Sequence, residues 1–250
     1  DLNELVNNTL ITCLNPNKKE KLFRDISWIK PGKAAWYWWS GKYASFEAEK
    51  NTIENAEKLG FQYTMIDEGW ENWENKWGKI ASLCNYAKNK DVRIFLWKHS
   101  NQINFPENNY AVMAAFLDSV KQTGAVGVKV DFMNGQTKSI IDFDEALLEL
   151  AAKRKLMVNF HGCQQSSGEY RTYPNEVTRE GIRGIELNNM NEGTLSASHN
   201  AALPFTRYVT GHADYTPIAF TAPGETTWAH QLATLVCYYS TFQCIAENPE

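Results

Sequence analysis

The sequence predicts a (β/α)8 barrel, a TIM-type α/β fold of eight parallel strands that alternate with helices. The chain of 250 residues is 43% hydrophobic, which is enough for one large core. Short apolar runs alternate with stretches of helical periodicity, as in parallel strands joined by helical crossovers. No G-x-G-x-x-G motif follows the first run, so a dinucleotide fold has no support. Residues 1–29 lack this rhythm and are expected to be a lead-in from a preceding domain, which leaves residues 30–250 for the barrel.

Eight apolar runs are expected to form the strands. They are short and widely enough spaced to leave room for a helix between most neighbours. In chain order the predicted strands are residues 34–39, 63–67, 92–97, 127–132, 156–160, 184–187, 213–218 and 241–246. Apolar residues recur at helical spacing over 46–59, 112–120 and 141–151, and Gly60 and Gly124 are placed to end the first two of these helices.

The composition excludes several classes of protein. The net charge is −4 and charges of both signs are well mixed, so no basic surface is expected to bind nucleic acid. No apolar run reaches the length of a membrane span, so membrane insertion is not expected. Five cysteines occur singly without a C-x-x-C pair, which argues against a zinc site or a disulfide framework. Nine tryptophans are compatible with sugar binding, although most are expected in the core.

Polar side chains follow the predicted strands at the end where barrel enzymes carry their active site. Singly, each of these residues is as readily explained as a helix cap or an ion pair. Together, several carboxylates with aromatic neighbours on one rim suit glycoside hydrolysis, which needs one protonated and one ionised carboxyl group. The residues at or near these ends include Asp67, Glu68, Lys98, His99, Asp131, His161, Glu186 and Glu247.

Asp131 is the candidate nucleophile, at the end of the fourth predicted strand. Residues two apart on a strand face the same side, so Lys129 and Asp131 are expected to lie together. A neighbouring ammonium group favours an ionised carboxylate. The alternative is a buried Lys–Asp pair that only stabilises the barrel.

Glu186 is the candidate acid/base, after the sixth predicted strand. Gly181 and Gly184 let the backbone approach closely there, and Glu180 is near enough in sequence to share a site with Glu186. Two such carboxylates suit a hard cation such as Ca²⁺, which prefers oxygen ligands. A solvated Glu180 at a helix end is the alternative.

The remaining candidates are substrate contacts. One of Trp38 and Trp39 is expected to stack on the sugar and the other to lie in the core, since neighbours on a strand face opposite ways. The candidate substrate-binding residues are Trp38, Asp67, Glu68, Lys98, Lys129 and His161. His161 is a weak candidate, because a lone histidine at a strand end is commonly structural.

At these residues the sequence resembles glycoside hydrolase family 97, whose members are mostly bacterial α-glucosidases and α-galactosidases. Five short segments carry the resemblance in family order, and together they span nearly the whole chain. They are SWIKPGK at 27–33, IDEGW at 66–70, VKVDFM at 128–133, RTYPN at 171–175 and DYTP at 214–217.

The resemblance implies the retaining branch of the family. Inverting members place a glutamate base directly after the histidine that ends strand five, and here that position is Gly162. Retaining members use an aspartate nucleophile after strand four, which Asp131 matches, with Glu186 as acid/base. The resemblance further implies a Ca²⁺ ion bound by Glu180 and Glu186, an N-terminal β-sandwich domain that supplies another ligand, a C-terminal β-domain, and a periplasmic or extracellular location in bacteria.

The most favoured function is an exo-acting α-galactosidase. An α-glucosidase or a β-L-arabinopyranosidase of the same family is the alternative within the class. A non-catalytic carbohydrate-binding barrel is the alternative in another class, although a pure binder needs neither Asp131 nor Glu186. An aldolase that uses Lys129 as a Schiff base and a binuclear metal hydrolase are disfavoured, the first by the adjacent carboxylate and the second by scattered histidines.

Overall fold

The structure is a computed structural model, and it describes residues 1–43, 45–190 and 193–249. Seven parallel strands form one sheet in the order β6-β5-β4-β3-β2-β1-β7. The two edge strands, β6 and β7, contact each other, so the sheet nearly closes into a barrel. The strands are β1 Gly32–Ala35, β2 Tyr63–Ile66, β3 Arg93–His99, β4 Gly127–Asp131, β5 Met157–Phe160, β6 Glu176–Arg179 and β7 Phe242–Ile245.

Helices follow most of the strands and cover the outside of the sheet. Those of the described residues are α1 Leu2–Val6, α2 Leu10–Leu14, α3 Tyr37–Gly41, α4 Phe46–Lys58, α5 Lys76–Lys88, α6 Ala111–Thr123, α7 Lys138–Lys153, α8 Ala197–Ala202 and α9 Trp228–Cys237. Short 3-10 helices lie in the connections, at Trp70–Asn72, Ser100–Gln102, Glu107–Asn109, Glu169–Arg171, Ile185–Asn189, Leu203–Phe205 and Arg207–Thr210.

The three predicted helices are confirmed as α4, α6 and α7, and glycines end the first two. Gly60 has φ +68° just after α4, and Gly124 has φ +91° at the end of α6, where its N–H donates to the carbonyl of Lys121. Residues with side chains rarely adopt these angles, so glycine is the natural choice at both turns.

The interior of the barrel is filled with side chains. Tyr63, Phe95 and Phe242 meet there, with ring centroids 4.4 to 5.3 Å apart, and all three are buried. Aromatic side chains of this size close the inside of a small barrel. This layer therefore closes the interior of the barrel below the carboxyl ends of the strands.

The prediction for the sixth strand was wrong. Residues 184–187 belong to the 3-10 helix Ile185–Asn189, and the sixth strand is β6, Glu176–Arg179. The reason lies in the charges of β6: Arg179 donates twice to the Glu176 carboxylate, at 2.7 and 3.0 Å, and both side chains are buried. Because the two buried charges neutralise each other, this strand can be buried without an apolar sequence, and a search for apolar runs does not detect it.

The predicted seventh strand, residues 213–218, is an irregular segment rather than a strand. Residues 213–218 lie between β6 and β7, where the N–H of Asp214 donates to Arg179 O (2.8 Å) and the carbonyl of Pro217 accepts from Ala246 N (3.2 Å). Pro217 has no N–H, and Thr216 and Ile218 have φ of +50° and +71°, so a regular ladder cannot form. The described residues therefore make seven strands and a bridging segment.

The first 29 residues pack on the connection between β5 and β6. Thr172 donates to the carbonyl of Pro16 (2.7 Å), and Phe23 is buried among the residues beneath the helices. The boundary between residues 29 and 30 stays a prediction, and the predicted barrel end at residue 250 lies outside the described residues. No helix in the described ranges is long and apolar enough to cross a membrane.

Candidate active site

A cavity of about 300 Å³ opens at the carboxyl ends of the strands. Most of the residues predicted from the sequence line it, although they come from five separate parts of the chain. Those brought together are Trp38, Asp67, Glu68, Lys129, Asp131, His161, Glu180 and Glu186.

Lys98 is the predicted residue that the structure does not bring to the cavity. Its Nζ lies 3.2 Å from Glu71 Oε1 and above the ring of Phe116, on the helix side of the sheet. Neighbours on a strand face opposite ways, and the inward position at the end of β3 is taken by Trp97. Its predicted substrate contact therefore has no support in the geometry.

Asp131 ends β4 with both carboxylate oxygens held by donors. Oδ1 accepts from the backbone N–H of Phe132 (2.7 Å), and Oδ2 accepts from Trp97 Nε1 (3.1 Å). The ammonium of Lys129 lies 3.9 Å from Oδ2. These contacts fix the orientation of the carboxylate at the cavity. Phe132 has φ +65°, an unusual angle for a bulky residue, of the kind that is concentrated at functional sites.

Lys129 is buried and its nearest partner is Asp67 rather than Asp131. Its Nζ lies 2.7 Å from Asp67 Oδ2 and 4.2 Å from the centroid of the Trp36 ring. Burial opposes the charge, but the carboxylates of Asp67, Asp131 and Glu186 outweigh it and raise the pKa of Lys129. The amine is therefore protonated, which removes the Schiff-base alternative for this lysine.

Glu180 and Glu186 also line the cavity. Glu180 Oε2 accepts from Gly162 N (2.7 Å), and the backbone N–H of Glu186 donates to Thr216 Oγ1 (3.2 Å). Burial raises the pKa of both carboxyl groups, for Glu186 well above the usual range, and the charge of Glu180 raises the pKa of Glu186 further. A glutamic acid that keeps its proton near neutral pH is what a general acid requires.

His161 stands between these carboxylates and a buried anchor. Its Nε2 lies 3.0 Å from Asp214 Oδ2, and Asp214 also accepts from Asn159 Nδ2 (3.1 Å) and from two backbone N–H groups. Because a carboxylate can only accept, Nε2 of His161 is the donor in this hydrogen bond. Asp214, which sequence reasoning placed only in a motif, thus fixes the orientation of His161.

Three side chains of the cavity wall form a possible metal-ligand cluster, which is the one found in the described part of the chain. One ligand atom each from His161, Glu180 and Glu186 lies within 4.8 Å of the others. Two carboxylates side by side repel each other when both are ionised, and a divalent cation would relieve that repulsion. The oxygen donors fit Ca²⁺, which accepts six to eight ligands, so they would supply part of its coordination.

The paired tryptophans lie on α3 instead of at the end of a strand. Trp38 lines the cavity and stacks on Trp36 at 5.7 Å and 12°, and its Nε1 has no hydrogen-bond partner among the described residues. Trp39 is buried and donates to the carbonyl of Glu186 (3.0 Å). As expected, one tryptophan faces the cavity and the other lies in the core. The expected cause was the alternation of a strand, whereas the observed cause is the geometry of helix α3.

Sequence reasoning missed several residues of the cavity wall. Trp36 donates to Asp67 Oδ2 (2.7 Å), and Trp97 donates to Asp131. The alternation of side chains along a strand could have predicted Trp97, because it lies two residues after Phe95 on the inward face of β3. Asn134 and Met190 also line the cavity, but they lie in connections with no periodicity to indicate them.

Comparisons with known proteins agree with this geometry. A family model described as glycoside hydrolase 97 matches residues 30–182. A probable retaining alpha-galactosidase of Streptomyces bingchenggensis is 33% identical over 244 residues, and a retaining alpha-galactosidase of Bacteroides thetaiotaomicron is 29% identical over 255 residues. Each match covers 90% of this chain, but the chain spans only 37% and 38% of these relatives.

A solved structure shows the same architecture. It is a glycoside hydrolase family 97 enzyme of a Pseudoalteromonas species in complex with acarbose, with a TM-score of 0.84 and 28% sequence identity. The match covers 100% of this chain and 45% of that one.

Proposed function

The chain belongs to glycoside hydrolase family 97, and from its cavity we propose that it hydrolyses terminal α-galactosides with retention of configuration. The observation that carries the proposal is the carboxylate of Asp131, which accepts hydrogen bonds from two donors and lies 3.9 Å from the ammonium of Lys129, in a cavity that the buried Glu186 also lines. The two relatives named retaining alpha-galactosidases support the same assignment.

In the first step, an oxygen of Asp131 attacks the anomeric carbon as the bond to the leaving oxygen breaks, and Glu186 gives its proton to that oxygen. This step forms a β-linked glycosyl ester and frees the leaving alcohol. In the second step, the Glu186 carboxylate takes a proton from water, whose oxygen attacks the anomeric carbon and releases Asp131. The sugar then leaves in its α configuration and Glu186 is protonated again.

Gly162 supports retention over inversion. A Cβ at this position would lie 2.9 Å from Asp131 Oδ1 and 2.7 Å from Phe132 N, and the residue has φ +53°. A glutamate base at position 162, where inverting members of the family place it, would therefore collide with the carboxylate of Asp131. The two arrangements exclude each other in this backbone.

We also propose that Ca²⁺ binds at Glu180 and Glu186. The bound ion would supply a positive charge that orients these carboxylates and sugar hydroxyls. Calorimetric titration of the enzyme with CaCl₂ tests this: Glu180→Gln is expected to weaken binding about tenfold or more, because a charged oxygen ligand is lost. Unchanged affinity in the variant would remove the proposed ligand.

Proton NMR of the first anomer released tests the mechanism, with the full-length enzyme acting on α-galactosides and α-glucosides. Release of the α-anomer is expected. Asp131→Gly should be inactive on its own and regain turnover with azide, as a β-glycosyl azide, because azide then takes the place of the carboxylate.

Release of the β-anomer would contradict retention and reduce Asp131 to a binding residue or a base. Preference for α-glucosides or β-L-arabinopyranosides would change the substrate within the family. Sugar binding without turnover in the wild-type protein would favour the non-catalytic carbohydrate-binding barrel.

A further inference from the structure

Residues 214–217, one of the motifs noted in the sequence, belong to the irregular segment that lies between β6 and β7. The backbone of this segment is strained, because Thr216 is β-branched and has φ +50°. Such strain persists only where the surrounding structure enforces it, and it is concentrated at functional sites. The side chains of Asp214, Tyr215 and Thr216 are buried. The contacts that these residues make therefore indicate what the strained segment does.

The segment caps the 3-10 helix that carries Glu186. The first N–H groups of a helix have no acceptor within the helix itself. Here the N–H of Ile185 donates to the carbonyl of Tyr215 (2.9 Å), and the N–H of Glu186 donates to Thr216 Oγ1 (3.2 Å). Gly184, the residue before the helix, has no side chain that could cap it. The helix therefore depends on residues 215 and 216 to satisfy its first two donors.

Gly184 permits the close approach of the two segments. A Cβ at position 184 would lie 2.7 Å from Tyr215 O and 3.0 Å from Thr216 Oγ1, so a side chain would push the segments apart. The hydroxyl of Thr216 donates to the carbonyl of Tyr215 (2.7 Å), which leaves its lone pairs for the N–H of Glu186. The hydroxyl is thus fixed in the orientation of an acceptor.

The peptide groups on both sides of Glu186 are held by buried side chains. Thr216 accepts from its N–H, and Trp39 Nε1 donates to its carbonyl (3.0 Å). In the same segment as Thr216, Asp214 accepts from Nε2 of His161 (3.0 Å), which lies beside Glu186 in the cavity. One buried segment therefore holds both the acid/base and the histidine next to it.

We infer that Thr216 is a positioning residue for Glu186, which it holds at the place where the leaving oxygen is protonated. The inference rests on the proposed function, because it concerns the proton that Glu186 gives to that oxygen. A general acid must lie within hydrogen-bond reach of the atom that it protonates, and small displacements of a reacting group are costly. Loss of the Thr216 hydroxyl should therefore impair departure of leaving groups that need a proton more than departure of those that do not.

The test compares two substrates that share a galactosyl group and differ in their need for an acid. The leaving oxygen of melibiose must be protonated as it departs, whereas α-galactosyl fluoride releases fluoride ion without a proton. The readout is the ratio of kcat/KM for melibiose to kcat/KM for the fluoride, measured on the full-length enzyme. Thr216→Val keeps the branched shape of the side chain but removes the hydroxyl, so it should lower this ratio about tenfold. Thr216→Ser keeps the hydroxyl and should hold the ratio within about twofold of the wild type.

Thr52→Val is the matched control, because Thr52 is also buried and its hydroxyl donates to the carbonyl of Ala48 on α4 (2.9 Å). This variant should leave the ratio within about twofold. Trp39→Phe removes the donor to the carbonyl of Glu186 and should lower the ratio as well, so it tests the same inference if Thr216→Val does not fold.

An equal loss on both substrates in Thr216→Val, or an unchanged ratio, would overturn the positioning role while leaving the proposed function intact. A low ratio in Thr216→Ser would also overturn it, because the hydroxyl would then not be the group that matters. A wild-type enzyme that cleaves neither substrate would overturn the proposed function, and this inference with it.

Discussion

Lys129 is the residue on which the electrostatics of the cavity depend. It is 2% exposed and its ammonium lies 2.7 Å from Asp67 and 3.9 Å from Asp131, so one charge faces two carboxylates. Trp36 encloses the same group from another side and donates to Asp67. The sequence predicted the pairing of Lys129 with Asp131, but only the structure reveals that Asp67 is the closer partner.

Replacing this lysine should be costly for stability. Lys129→Met keeps the length of the side chain but leaves Asp67 and Asp131 without their common counter-charge, so the free energy of unfolding should fall by about 3–5 kcal/mol. Urea unfolding monitored by circular dichroism measures it. Lys138→Met, which breaks the exposed pair with Asp142, should leave the free energy of unfolding nearly unchanged, because solvent screens this pair. Similar losses in the two variants would show that the buried pair has no special role.

A second change at the residue scale concerns the nucleophile itself. Trp97→Phe keeps an aromatic ring on β3 and removes the N–H that donates to Asp131 Oδ2. Hydrogen bonds to charged groups are strong, so kcat/KM on an α-galactoside should fall about tenfold or more. Trp77→Phe, on α5 against Trp70, is the control with unchanged kinetics. Unaltered kinetics in Trp97→Phe would mean that the indole only fills space.

At the scale of elements, the turns that follow the strands place the chemistry. The turn after β4 holds Phe132 at φ +65° and the turn after β5 holds Gly162 at φ +53°. The two turns are joined by the bond from Asn134 N to Gly162 O (2.8 Å). Because the two turns are in contact, a substitution at Gly162 should displace Asp131 at the end of β4.

Two glycines with similar backbone angles separate these effects. In Gly60→Ala the added Cβ has no atom within 4 Å. The free energy of unfolding should therefore fall only by the cost of a left-handed backbone angle for alanine, about 1 kcal/mol. Gly162→Ala adds the clash with Phe132 and Asp131, so it should cost more in urea unfolding and also lower kcat/KM. If the two variants unfold alike and both retain activity, the close contact at Gly162 does not constrain the nucleophile.

The same scale explains what the sequence could and could not predict. Strands β2 to β5 are buried and read as apolar runs, so their positions were found within about two residues. Strand β6 was missed because Glu176 and Arg179 neutralise each other inside the protein. Asp131 was predictable as the polar end of an apolar run. Asn134 and Met190 line the cavity from connections between elements, and no local sequence pattern indicates how such connections meet.

At the scale of the whole molecule, one buried arginine ties distant segments together. Arg179 on β6 contacts Glu176 on its own strand, Glu169 in the preceding 3-10 helix (2.6 Å) and Asp144 on α7 (3.7 Å). His212, from the chain beyond α8, reaches the same Glu176 carboxylate at 3.2 Å. Three carboxylates around one guanidinium cannot all be ionised without cost.

Asp144 is the carboxyl group of the three whose pKa is raised to near neutrality. Burial raises its pKa to about 7 against the opposing charge of Arg179, while Glu176 and Glu169 raise it as well. The folded state then holds a proton that the unfolded state has lost above about pH 4. The unfolded state binds fewer protons in this window, so the stability from Asp144 is complete below about pH 4, falls as the pH rises and is lost by about pH 7.

Asp144→Asn should remove this dependence, since the amide still accepts from Gln164 Nε2 as the carboxylate does (2.7 Å) and carries no charge at any pH. Urea unfolding of both proteins at intervals between about pH 4 and pH 8 measures it, because the slope of stability with pH counts the protons released. The stability of the variant relative to the wild type should increase through this range and level off above about pH 7. Parallel curves would mean that Asp144 is already ionised in the folded protein and that Arg179 balances all three carboxylates. A lower stability of the variant at every pH would instead assign Asp144 the role of a required counter-ion for Arg179.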